Sequence, residues 1–96
     1  MKILNRDLRG FTGTAWLVDL EREVSITDWN KKEICRTRFF VVSGTVAMYT
    51  GWEILVFPAD GEGNILDWGE VAGGRGISYE NAIEELEQKF GVITHD

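Results

Sequence analysis

Hydrophobic and polar positions alternate with period two through several stretches of the chain, and with helical spacing in one. Residues 33 to 43, "EICRTRFFVVS", form the clearest strand, rich in β-branched and aromatic residues. The pattern continues to Thr50 across Gly44, where a bulge or bend is expected. Residues 11 to 20, "FTGTAWLVDL", place Trp16, Val18 and Leu20 on one side and read as a strand. Leu17, Leu20 and Val24 also fit a helical face, so a short helix between residues 14 and 24 competes with it. "VSITDWN", residues 24 to 30, reads as a second strand with Val24 and Ile26 on one face, closed by a polar turn at Asn30 to Lys32.

After Gly51, "WEILVF" sets Trp52, Ile54 and Val56 against Glu53, Leu55 and Phe57, then stops at Pro58, which has no N–H for a central ladder. "NILDWGEV" reads as the returning partner strand, and "AGGRG", residues 72 to 76, as the stretch that releases the chain from the sheet. Ser78 is a sound N-cap. Beyond it Ala82, Ile83, Leu86 and Phe90 recur at helical spacing while Glu80, Glu84, Glu87 and Lys89 stay outward, predicting a helix over residues 79 to 90 with Gly91 in the left-handed position after it. The expected fold is α+β: a curved, mostly antiparallel sheet of four to five strands with one C-terminal helix packed on a face. With 96 residues, one small domain over residues 1 to 96 is the expectation.

Charge changes this picture more than composition does. Residues 1 to 50 hold eight Lys/Arg against six Asp/Glu, or +2, whereas residues 51 to 96 hold two against ten, or −8. Such an acidic body repels nucleic acid and anionic membranes and favours basic partners. The apolar runs are too short to cross a bilayer, and "MKILNRDLRG" has no apolar export region, so the cytosol is the expected location. Hydrophobic residues make up 44% of the chain, which argues against a disordered polymer. One Cys and one His cannot assemble a Cys/His zinc set. Alternation puts Cys35 on the same side as Thr37, Phe39 and Val41, so a core thiol is expected over a nucleophile.

Candidate chemistry concentrates in "FPADGEGNILDWGE", residues 57 to 70, where Asp60, Glu62, Asn64 and Asp67 surround two glycines. With Asp60 as the first position of a calcium loop, the sixth is Ile65 and the twelfth Val71, so both the sharp turn and the bidentate ligand are missing. A hairpin loop explains every residue: Asp60-Gly61 and Gly63-Asn64 are turn dipeptides, Asp able to make an Asx turn and Gly able to take positive φ. No metal or other cofactor is expected. "GGRGIS" precedes a helix and could hold an anion on Gly74, Arg75, Gly76 and Ser78, with Arg75 as a bidentate donor. The phosphate-loop pattern is absent, however, and Glu80 in the first turn opposes an anion.

Arg36 and Arg38, near Lys31, Lys32 and Trp29, suggest a small basic and aromatic patch, but the acids Glu21, Glu23 and Glu33 are the better partners, and nucleic-acid binding is disfavoured. The sole histidine, His95, is the penultimate residue, a poor anchor for a catalytic relay, so no catalytic residue is assigned.

"GWEILVFPADGEGNILDWGEVAGGRG", residues 51 to 76, resembles a hairpin found in small uncharacterised proteins encoded by phages and prophages, the likeness centring on Glu53 to Asp60, Gly63, Asn64 and Asp67 to Glu70. The preceding "VVSGTVAMYTG" is similar to that group as well. The resemblance covers about half the chain and implies a mobile-element origin, but it brings no activity and no functional residue. Four tryptophans exceed what one small core needs, so some are expected at an interface. The expected function is a non-catalytic acidic interaction protein, a phage or prophage accessory, binding a basic protein partner through Trp29, Trp52, Trp68, Glu80, Glu84 and Glu87. Self-association into a homodimer through a sheet edge is a further expectation. The alternative from another class is a small anion- or ligand-binding domain built on the Gly-rich loop.

Overall fold

The computed structural model describes residues 1–11, 13–47 and 51–90. Among them, five strands form one antiparallel sheet in sequence order: β1 (Lys2–Asn5), β2 (Ala15–Thr27), β3 (Glu33–Ala47), β4 (Gly51–Ala59) and β5 (Ala72–Arg75). One helix, α1 (Tyr79–Lys89), follows and packs on one face. The α+β architecture read from the hydrophobic pattern is therefore the one observed, and the strand prevails over the helix at residues 14 to 24.

Two apolar layers sandwich the sheet. On the helix side, Val18, Leu20, Phe40, Val42, Ile54 and Val56 meet Ala82, Ile83 and Leu86 of α1. The other face buries Ala15, Leu17, Val41 and Ala59 under Leu8, Phe11 and Ile65, which come from the loops after β1 and β4. A meander with every strand beside its sequence neighbour needs only local connections, and covering its second face with loops rather than a further helix suits so short a chain.

Residues 11 to 20 and 24 to 30 are not two strands but parts of one. β2 runs through with a register slip between Asp19 and Val24, where Glu21 takes positive φ and its N–H donates to Asp19 Oδ1 at 2.8 Å. That slip lies opposite Thr37 to Phe39, between Cys35 and Val41, and sets five residue steps of β2 against two of β3, an odd shift that exchanges which faces meet. Cys35 accordingly packs on the helix-side cluster while Phe39 and Val41 join the opposite one, which corrects the expectation that they share a side. β1 pairs only with residues 17 to 19 of β2 and β4 only with residues 39 to 47 of β3, so the rest of this hairpin runs on as a two-stranded arm.

Three further expectations need correction. No bulge occurs at Gly44, where the ladder to β4 is regular; a Cβ there would strike Tyr79 Oη and the Trp52 ring, so the glycine clears space for aromatics. β4 does not stop before Pro58. Its carbonyl accepts from Leu66 N–H, on the side away from β3, and since N and C=O of one strand residue point the same way, the missing donor costs the β3 ladder nothing. "NILDWGEV" is not the partner strand: it makes an isolated bridge at Ile65, and Asp67 turns the chain by accepting from Gly69 N–H. The partner is "AGGR", at Gly73 of which (φ 116°) any Cβ would meet the Ile54 carbonyl. Only glycine lets β5 lie that close to β4.

Ser78 caps α1 as expected, accepting from Asn81 N–H at 3.0 Å, while Asn81 Oδ1 reaches back to Ser78 N–H to complete a capping box. The positions of Gly91, His95 and Met48 to Thr50 lie outside the described residues.

Candidate functional site

The loop after β4 is a turn organised by one carboxylate. Asp60 Oδ1 accepts from Glu62 N–H (2.8 Å) and Asn64 N–H (2.9 Å), and Oδ2 accepts from the Asn64 side-chain amide (2.9 Å). Those donors, the Asn64 amide first, hold the Asp60 carboxyl below the usual carboxylate range. Glu62 and Asp67 make no common cluster with it, and no group of three or more His, Cys, Asp or Glu suited to a metal occurs among the described residues. The arrangement turns the chain.

The Gly-rich stretch before α1 is equally committed to structure. Gly74 and Arg75 lie in β5, and Gly76 N–H donates to the Trp52 carbonyl at 2.9 Å. Gly73 N–H donates to Glu85 Oε1 at 2.7 Å, and Ser78 N–H is taken by the capping box. The amides of Gly73, Gly76 and Ser78 thus already serve the fold. The reading of this stretch as one that releases the chain from the sheet is corrected, because Ala72–Arg75 is the edge strand.

The three tryptophans expected at one interface are not brought together. Trp29 stands at the tip of the β2–β3 arm, 91% exposed. Trp52 lies at the other end of that hairpin's sheet, opposite Val46, where its ring and Tyr79 meet over Gly44. Trp68 sits on the face away from the helix, 68% exposed, with its ring edge-on to Phe57 at 5.3 Å. Beside Trp68 the loops holding Arg9, Gly10 and Phe11 and those holding Gly63, Asn64 and Ile65 frame an open hollow of about 380 Å³. Sequence reasoning missed this hollow because its walls come from segments more than 50 residues apart that meet where Leu8 packs on Gly63.

The acidic residues of α1 divide into two sets. Glu85 holds the Gly73 amide, and Lys89 Nζ donates to the Val71 carbonyl at 2.9 Å, so these two clamp the helix to β5. Glu80, Glu84 and Glu87, at i, i+4 and i+7, line the outer side and make no ion pair or hydrogen bond with any other described side chain. At the helix start this stripe adjoins an aromatic group: Tyr79 stacks on Trp16 (4.6 Å between ring centres), Trp52 lies beside it, and the Arg6 guanidinium stands 4.9 Å over Trp16. Tyr79 Oη donates to the Thr14 carbonyl at 2.6 Å, which fixes the group to the sheet.

The basic residues on the arm are largely paired. Arg36 meets Glu33 at 3.0 Å. Arg38 grips Asp19 with two bonds of 2.8 and 2.6 Å rather than Glu21 or Glu23. A basic nucleic-acid strip is thereby reduced to Lys31 and Lys32. Burial, followed by the nearby charges of Asp67 and Glu33, pushes the Cys35 thiol up, so it stays protonated and a weak nucleophile. No helix among the described residues is long and apolar enough to cross a membrane. No protein-family model, curated protein or solved structure matches the chain.

Proposed function

We propose that the chain is a non-catalytic interaction module, of the accessory kind that phages and prophages encode, and that it docks a basic protein partner along the outer stripe of α1. The observation that carries this reading is the division of labour on one helix: Glu85 and Lys89 are spent on holding α1 in place, while Glu80, Glu84 and Glu87 satisfy nothing within the described residues. Three carboxylates in register on a rigidly held helix present a fixed pattern of negative charge. Such a pattern favours a partner with Lys or Arg at matching spacing and speeds its encounter. Trp52, 40% exposed at the head of the stripe, supplies the apolar contact that charge alone lacks.

The test is charge reversal. Glu84→Lys with Glu87→Lys leaves the helix clamp untouched, so the fold persists while capture of a basic partner weakens and loses part of its salt dependence. Undiminished capture by the double variant sinks the proposal.

A further inference from the structure

We propose that two copies of this chain associate by exchanging arm tips, the Trp29 indole of each entering the hollow beside Trp68 of the other. The inference goes beyond the docking of a basic partner and uses a different surface.

The tip is a built feature. Asp28 Oδ1 accepts from Asn30 N–H (2.8 Å) and Lys32 N–H (2.9 Å), and the backbone closes with Asp28 N–H to the Lys32 carbonyl and Lys31 N–H to the Asp28 carbonyl, each at 2.9 Å. This network holds Lys31 at φ 64°, a conformation disfavoured for a residue with a Cβ, and leaves Trp29 almost wholly in water. An indole held out on a stiffened turn loses little freedom when it binds, which is the property of an interface anchor.

The hollow is the complementary half. Its 380 Å³ lies at the low end of the range for small-ligand sites, about 300–1,000 Å³, and gives room for one indole. Phe11, Ile65 and Trp68 offer apolar and aromatic wall, and an indole against Trp68 gains the edge or offset packing that aromatic rings prefer.

Charge orients the pair. Lys31 and Lys32 leave the tip net positive against Asp28, and neither ammonium has an ion-pair partner among the described residues. Around the hollow, Glu62 and Asp67 adjoin the lining Gly63 and Trp68 and outweigh the single positive charge of Arg9. A difference of one charge on each side is weak, so it selects the orientation while the indole supplies the affinity. The contact is reciprocal, residue for residue, as a two-fold dimer requires. That distinguishes it from pairing at a sheet edge, where β1 and β5 offer four residues each.

Sedimentation velocity of the full chain at rising concentration reads the outcome. The wild type shifts from monomer to dimer. Trp29→Ala and Trp68→Ala each weaken the dimer by about thirtyfold or more, as removal of an interface anchor does. Trp52→Ala, far from both parts, leaves it intact, and far-UV circular dichroism confirms that each variant folds. Because Trp29 touches so little of its own chain, its variant keeps the test open even if Trp68→Ala disturbs Phe57. A wild type that stays monomeric to its solubility limit overturns the proposal. So does a dimer that survives Trp29→Ala, or one that Trp52→Ala dissolves, since each places the interface elsewhere or nowhere.

Discussion

Asp28 and Asp60 carry out the same task in two separate loops. Each accepts from the backbone N–H two and four residues on, and each closes a five-residue loop whose fourth member has positive φ: Lys31 at 64° and Gly63 at 89°. The loop at Asp60 was legible in the sequence because glycine stands where positive φ is needed. "DWNKK" hides the same geometry, since Lys at that position carries no such signal. Lys31→Gly removes the strain but adds freedom to the unfolded chain, so a net gain of about 0.5–1 kcal/mol in urea unfolding is expected. Gly63→Ala should lose at least about 1 kcal/mol, because its Cβ is both strained and pressed against Leu8.

The Asp19–Arg38 pair gives a pH-dependent prediction at the same scale. Asp19 is buried while the Arg38 side chain is 49% exposed, and the Arg38 hydrogen bonds above all hold the Asp19 carboxyl below its ordinary value. A depressed carboxyl stabilises the fold above its unfolded pKa of about 3.9, and that contribution is lost as pH falls through the lower, folded value. Arg38→Ala leaves Asp19 buried without its partner. It should lower the urea midpoint near neutrality, by less than the breaking of a fully enclosed pair would, because water screens Arg38. The difference between variant and wild type should shrink below about pH 4. Glu21, Glu33 and Asp60 are lowered as well, so the acid limb of the wild type alone does not isolate this pair.

Among the elements, β3 and α1 were readable because their periodicity is clear and their ends are marked, the helix by Ser78 and the strand by the turn before it. β2 reads as two strands because three consecutive charged residues, Glu21 to Glu23, interrupt its apolar alternation; the strand carries through them by the register slip and the positive φ of Glu21. β5 was missed for the opposite reason. "AGGR" has the composition of a loop, and only the approach of Gly73 to the Ile54 carbonyl explains why glycine is wanted in a strand.

Gly44 follows the same logic: its role lies in the contact between layers. Gly44→Ala would drive a methyl group into Tyr79 and Trp52, so a loss of about 1–3 kcal/mol and a changed near-UV dichroism spectrum are expected. Leu86→Ala, at the centre of the helix contact, should cost about 2–5 kcal/mol, with thermal unfolding as the readout. A spectrum untouched by the Gly44 change would show that the aromatic group is loosely held.

For the molecule as a whole, the asymmetry of +2 against −8 between the halves of the chain was plain in the sequence, but its placement was not. The fold uses some of the acids as hydrogen-bond acceptors that hold the chain, at Asp19, Asp60 and Glu85, and leaves others in a line on α1. It also separates Trp29, Trp52 and Trp68 onto three surfaces, because the β2–β3 hairpin outruns its neighbours and the loop after β4 folds over the face opposite the helix. No periodicity records such distances. A binding surface centred on α1 therefore includes Trp52 but neither of the other two.

The most direct measurement compares two variants of equal net charge in quantitative partner capture. One carries Glu80→Gln, Glu84→Gln and Glu87→Gln on the helix stripe; the other carries Glu23→Gln, Glu62→Gln and Glu70→Gln elsewhere. Loss of capture in the first alone, with the second close to wild type, is the predicted result. Equal loss in both would mean that the partner responds to net charge and not to a site, and would contradict the docking role of α1.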